Sequence, residues 1–285
     1  MYISKKSSTF APNFVKYPIF MAKQSGLHQI RGKVGEHSYY RQTGVAAGLI
    51  RGINQGLSSR VKTGDEYANT RLNNAEFGAA CNVAGVLGKM VVPKYRPMVL
   101  PFSQSIMAKK VLELAKAHPG FWGQRVVTVD DTVELAQILS DTSKLNVADY
   151  LTVNVSRTDT THVQLDFLLS KEQVSALIGL GADGFNIKIS AYQVRTGQYS
   201  SATGKILRSN VRMETSGDNE EDLTVGEGST GDFDIEIAAT MPSVTGFVNH
   251  RFATVLIQPY KTVGTATYTL QELCMFVTVP IPEPA

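Results

Sequence analysis

The residue types that most often carry chemistry are sparse in this chain and widely spaced. Its five histidines, His28, His37, His118, His162 and His250, occur neither at i,i+4 spacing nor in an H-x-E pattern, so no helix offers two imidazoles to one metal. No G-x-S-x-G elbow is present, and neither Cys81 nor Cys274 has a partnering histidine that would mark a thiolate nucleophile. The two cysteines lie far apart in segments that read as buried, which predicts unoxidised core thiols. The acidic run Asp218, Asn219, Glu220, Glu221, Asp222, followed by Glu227, Asp232 and Asp234, lacks the glycine and closing glutamate of a calcium loop. It reads as a solvated loop between strands. No catalytic residue, metal or cofactor is assigned, and an enzyme is disfavoured.

Two glycine motifs fail on context. Gly179-Leu180-Gly181-Ala182-Asp183-Gly184 matches G-x-G-x-x-G, but a dinucleotide site needs a strand before the glycines and a helix after them. Here a helical pattern precedes and a strand pattern follows, which predicts a helix cap and turn. Gly85-Val86-Leu87-Gly88-Lys89-Met90 lies inside a helical pattern and lacks the hydroxyl of a phosphate loop.

The elements that would position any site fall into three stretches. Residues 1–20 read as a flexible arm or upstream extension, because Met21-Ala22-Lys23 resembles a start and no continuous apolar segment marks a secretory signal. No run reaches the length of a membrane span. Residues 21–123 hold a basic hairpin, with Leu27–Arg31 and Ser38–Gln42 flanking a turn at Gly32–Gly35, and then two helices. The first runs from a cap at Asp65 to Pro93 with small residues (Gly78, Ala79, Ala80, Ala84, Gly85, Gly88) that predict a close-packed partner, and the second from Ser103 to Pro119. Residues 124–285 change to period two. Strands are predicted at 126–129, 150–155, 162–168, 185–194, 206–213, 233–238, 252–259 and 268–279, with short helices at 133–139 and 171–180. The predicted class is α+β: a basic hairpin and helical hairpin, then an antiparallel β-sandwich or jelly-roll-like domain.

Net charge conceals a division. The formal +3 arises from 18 Lys/Arg against 5 Asp/Glu in residues 1–125 and 10 against 20 in the rest, balances of +13 and −10. Such asymmetry points to nucleic acid or to an assembly surface. The candidate contact residues are Lys23, Arg31, Lys33, Tyr39, Tyr40, Arg41, Arg51, Arg60, Lys62 and Arg71. Lysines and arginines among glycines neutralise phosphates without reading sequence, and Tyr39, Tyr40 and Tyr67 could stack bases. The same residues could instead meet the acidic half of a neighbouring copy.

The segments Gly26–Gly35, Tyr39-Tyr40-Arg41 and Asn69–Gly78, the last containing Arg71-x-Asn73-x-x-Glu76-Phe77, resemble a group of bacterial and phage-type proteins. These carry an N-terminal GKVG hairpin, an R-x-N-x-x-E-F helix and a variable β-domain. The resemblance covers about residues 21–118 and implies an assembly or virion structural role, with no catalytic residues attached. The expected function is therefore a non-enzymatic, self-assembling virion or capsid coat component, located in the virion or the cytoplasm. The partners are itself and, in the second reading, single-stranded nucleic acid. A ligand- or receptor-binding β-domain is the third; the single Trp122 lies outside the predicted strands.

Overall fold

The structure is a computed structural model that describes residues 21–24, 32–34, 37–40, 48–52, 57–95, 98–101, 103–157, 162–168, 170–213, 219–224, 230–236 and 242–282. It divides into two compact units, Met1–Ala68 and Asn69–Ala285.

In the first unit, strands β1 (Met21–Gln24), β2 (Gly32–Val34), β3 (His37–Tyr40) and β4 (Gly48–Gly52) form an antiparallel sheet in the order β1-β4-β3-β2. Helix α1 (Leu57–Thr63) and a 3-10 turn at Asp65–Tyr67 follow. The hairpin exists but is shifted from the predicted one. Val34 pairs with His37, three positions on, so the Gly-Lys-Val expected as part of the turn is itself a strand. The expected first strand lies outside the described residues, as does the 1–20 arm. Asp65 opens the 3-10 turn instead of capping the long helix.

In the second unit, α2 (Ala68–Tyr95) is followed by α3 (Ser103–Ala117). Helix α2 runs two residues past Pro93, a position so near the end that the missing N–H removes only one late hydrogen bond. Then come α4 (Thr132–Ser140), β5 (Thr152–Arg157), β6 (His162–Leu168), α5 (Lys171–Gly179) and β7 (Gly184–Gly197). The chain ends in β8 (Tyr199–Ser200), β9 (Lys205–Ile206), β10 (Asn210–Met213), β11 (Asn219–Thr224), β12 (Thr230–Glu236), β13 (Phe247–Val263), β14 (Ala266–Thr269) and β15 (Met275–Pro280). The class is α+β, and the C-terminal antiparallel sheet curls into a half-barrel.

The long partners β7 and β13 build the centre, paired from Phe247↔Gly197 to Tyr260↔Gly184. β10 and β11 flank β7, and β14 and β15 flank β13; a second sheet has the order β12-β6-β5. Alternation along the central strands feeds two cores. Tyr192, Val194, Phe252, Leu256 and Phe276 face α2, α3 and α4 through Ala84, Leu87, Met107 and Leu135. The opposite parity, Phe185, Ile187, Ile189, Val255 and Ile257, packs with Val163, Leu165 and Phe167 of β6 and with α5. A sheet covered on both faces explains why β7 and β13 read as continuous apolar runs.

Four expectations differ. Residues 126–129 form no strand, because the Asp131 carboxylate accepts the Thr128 N–H and draws the chain into a 3-10 turn ahead of α4. The stretch 206–213 is split between β9 and β10, and 268–279 is interrupted by a 3-10 turn at Gln271–Leu273. The acidic run is largely a strand, not a loop: β11 pairs with β7 in a register that sets Leu223 opposite Phe185. The G-x-G-x-x-G segment is a helix end and turn, with Gly181 at φ 77° and β7 beginning at Gly184.

Candidate functional site

The N-terminal sheet organises part of the predicted contact set. Register places Met21, Arg51, Ser38 and Lys33 in one row, and Lys23, Leu49 and Tyr40 at positions of the same parity. Lys23, Lys33, Arg51 and Tyr40 therefore hold positions of one parity, spread across the full width of the sheet from β1 to β2, about 15 Å at the normal strand spacing. Tyr39 has the opposite parity, and its ring lies 6.4 Å from that of His37. Arg60 is engaged locally: it pairs with Glu66 at 3.2 Å and covers the Tyr67 ring at 5.8 Å, so that face of Tyr67 is not available to a base. Lys62 is exposed on α1, and Arg71 lies on α2 in the second unit. Arg31 and Arg41 are outside the described residues.

The fold brings two histidines of the second unit into one polar line that their sequence spacing conceals. His118 Nε2 lies 2.8 and 2.7 Å from the two oxygens of the buried Asp131 carboxylate. One residue on, the Thr132 hydroxyl donates to Val129 O at 2.6 Å, which leaves its oxygen to accept from His250 Nδ1 at 2.8 Å. His250 Nε2 then accepts from the Thr196 hydroxyl at 2.9 Å. This pattern assigns a neutral Nδ1–H imidazole. Burial pushes the His250 pKa down to about 4, with the Asp131 charge opposing the shift. The arrangement satisfies buried polar groups and activates no nucleophile, because the Thr132 proton points to a carbonyl and Thr196 is fully buried. A cavity of about 420 Å³ adjoins it, lined by Val133, Asn249, His250, Arg251 and Ile281. Among the described residues no three His, Cys, Asp or Glu side chains gather as a metal site. Burial also raises the Cys274 thiol to about 11, away from thiolate chemistry.

A second feature lies on α2. Its inward face, with Ala80, Val83, Ala84 and Leu87, enters the core as the small-residue pattern implied. The neighbouring face, with Asn74, Ala75, Gly78 and Ala79, instead forms one wall of an open groove of about 380 Å³, whose other wall is the β8–β9 hairpin with Lys205 and Arg208. Gly123 also lines the groove. The turn that carries it is fixed by a buried ion pair: Arg125 Nε and Nη2 each donate to a Glu76 oxygen at 2.8 Å, and the Gly123 N–H donates to Glu76 Oε1 at 2.9 Å. Burial alone would raise the Glu76 carboxyl, but these hydrogen bonds outweigh it and hold it below the usual carboxylate range. Gly123 has φ 87° and packs against Leu72, so the turn admits no side chain there. The preceding residues, Phe121 and Trp122, are 80% and 56% exposed.

No described helix is long and apolar enough to cross a membrane. Neither the models of known protein families nor the curated proteins give a match to this chain.

Proposed function

We propose that this chain is a non-enzymatic structural protein that assembles with copies of itself, of the virion or capsid coat type. The observation that carries the reading is the distribution of charge over sheet edges. The outer strands of the N-terminal sheet, β1 and β2, bear Lys23 and Lys33, and β4 between them bears Arg51. In the second unit β11 bears Glu220, Glu221 and Asp222, and β12, outermost on β6, bears Asp232, Asp234 and Glu236. Among the described strands β11 pairs with β7 alone. An edge strand offers a template to another chain; like charge on it repels an identical edge and admits one of opposite sign. A basic edge of one copy meeting an acidic edge of the next is a heterologous contact, which propagates into rings, shells or filaments. The two C-terminal sheets that share the Phe167 and Phe185 core are read here as the layers of a shell-forming β-sandwich, with jelly-roll connectivity as the alternative.

Negative-stain microscopy and light scattering from about 0.05 to 0.5 M salt test this reading, because screening shortens the reach of the charges over that range. Ordered particles that dissolve as salt rises are expected. A strictly monomeric protein throughout overturns it.

A second reading, single-stranded nucleic-acid binding, is supported by the common parity of Lys23, Lys33, Arg51 and Tyr40. Three phosphate contacts give a log–log salt slope of about −2 for a single strand. Absence of oligonucleotide binding at low salt removes it.

A further inference from the structure

The groove on α2 and the exposed aromatic turn meet at Gly123. Phe121 and Trp122 are large, exposed and adjacent in sequence, and Trp122 is the single tryptophan of the chain. They sit on a turn that is pinned from below by the Glu76–Arg125 pair and by the Gly123 N–H, so little is lost in ordering them when they bind. Gly123, the residue after Trp122, is also part of the groove lining, so the aromatic pair and the groove are contiguous. Within one copy they lie side by side, and the groove stays open.

We propose that two copies pair through this patch about a two-fold axis, with Phe121 and Trp122 of each copy seated in the α2–hairpin groove of the other. A contiguous knob and groove on one surface is the self-complementary arrangement that an isologous contact requires. The α2 wall of the groove carries only short side chains at Ala75, Gly78 and Ala79, which lets a flat ring approach the helix backbone. Its far wall carries the exposed Lys205 and Arg208, cations suited to the face of an indole or phenyl ring. At 80% and 56% exposure, Phe121 and Trp122 of the two copies together can bury on the order of 400–700 Å², and the groove surface they cover brings the contact toward the roughly 1,000 Å² of a specific interface. The partner is named as a second copy in keeping with the assembly reading, but this contact is apolar and distinct from the charged edges.

That difference separates the two proposals experimentally. Sedimentation at about 0.5 M salt screens the edge charges and leaves an apolar contact in place. The full chain is expected to show a monomer–dimer equilibrium there, with Trp122 emission moving to shorter wavelength as concentration rises. Trp122→Ser is expected to weaken the dimer roughly 30-fold, as truncation of a central tryptophan does. Gly78→Leu supplies the complementary variant: a Cβ at Gly78 meets nothing within 4 Å, so the larger side chain starts from open space on the groove wall. It should abolish the dimer while circular dichroism and melting show an intact protein. A wild-type chain that stays monomeric at high salt overturns this proposal, as does a dimer indifferent to both substitutions. Loss of low-salt particles with the dimer retained overturns the edge-charge reading alone.

Discussion

Glu76 on α2 and Arg125, at the far side of the turn that carries Phe121 and Trp122, form a two-pronged ion pair with both nitrogen–oxygen distances at 2.8 Å. The Glu76 side chain is buried and Arg125 is largely so. Removing the guanidinium leaves the buried Glu76 carboxylate without its charge partner, so Arg125→Ala is expected to lower the denaturant midpoint clearly. Glu76→Gln, which keeps the amide within hydrogen-bond reach of the Gly123 N–H, should cost less, about 1–3 kcal/mol. Equal effects of the two would contradict the assignment of Glu76 as the buried member.

His250 gives the protein an acid-sensitive term. Its pKa falls from 6.5 to about 4 on folding, so the unfolded chain binds the proton more readily between those values. The stabilisation is complete above pH 6.5 and is lost as pH falls toward 4, a change of about 3 kcal/mol. Glu76 acts further down: its carboxyl lies below the ordinary 4.5, so its contribution is lost only as pH drops past that value. Denaturant midpoints measured from pH 7.5 to 4.5 should decline for the wild type and much less for His250→Gln. A flat wild-type profile would remove His250 from this role.

Gly197 marks a close backbone crossing. It ends β7, its N–H donates to Ser209 Oγ at 3.1 Å, and a Cβ there would collide with the carbonyl of Leu207. A backbone carbonyl cannot rotate aside as a side chain can. Gly197→Ala is expected to destabilise by about 1–3 kcal/mol or to unseat the β8–β9 hairpin. Gly78→Ala, on an exposed helix face with open space around it, should stabilise by about 0.5–1 kcal/mol. Thermal melts of the pair should move in opposite directions.

These residues also show which parts of the structure were legible in the sequence. Strand β6 (His162–Leu168) and helix α5 match their sequence expectations almost to the residue, because strand alternation is a local signal and the helix carries its own cap at Ser170, as the structure shows. β11 was hidden, since Glu-Glu-Asp is a poor strand composition and only pairing with the apolar β7 holds it extended. The basic hairpin is displaced from its sequence pattern, because Gly32 and Gly35 both read as turn residues whereas Gly32–Val34 pairs with strand β3. The small-residue face of α2 was legible as a face of close approach, but which residues met the core and which lined a groove depended on the remote hairpin at 204–208. The Glu76–Arg125 and Thr132–His250 links join residues 49 and 118 positions apart, and no periodicity reports such pairs.

The charged edges can be tested apart from nucleic acid by exchanging their signs. Reversing both acidic edges in one chain (Glu220→Lys, Glu221→Lys and Asp222→Lys on β11, with Asp232→Lys, Asp234→Lys and Glu236→Lys on β12) makes the acidic and the basic edges alike positive. Such a chain is expected to lose its low-salt particles, since every head-to-tail contact now opposes like charges. Reversing Lys23→Glu, Lys33→Glu and Arg51→Glu in a second chain makes its edges all acidic, with the same loss. Mixing the two restores opposite signs across the contact, so particles should return in the mixture and in neither chain alone. If instead the basic sheet serves a polyanion, the first reversal would strengthen oligonucleotide binding and the second would abolish it, whatever the mixture does. Recovery on mixing is the outcome that only edge-to-edge assembly produces.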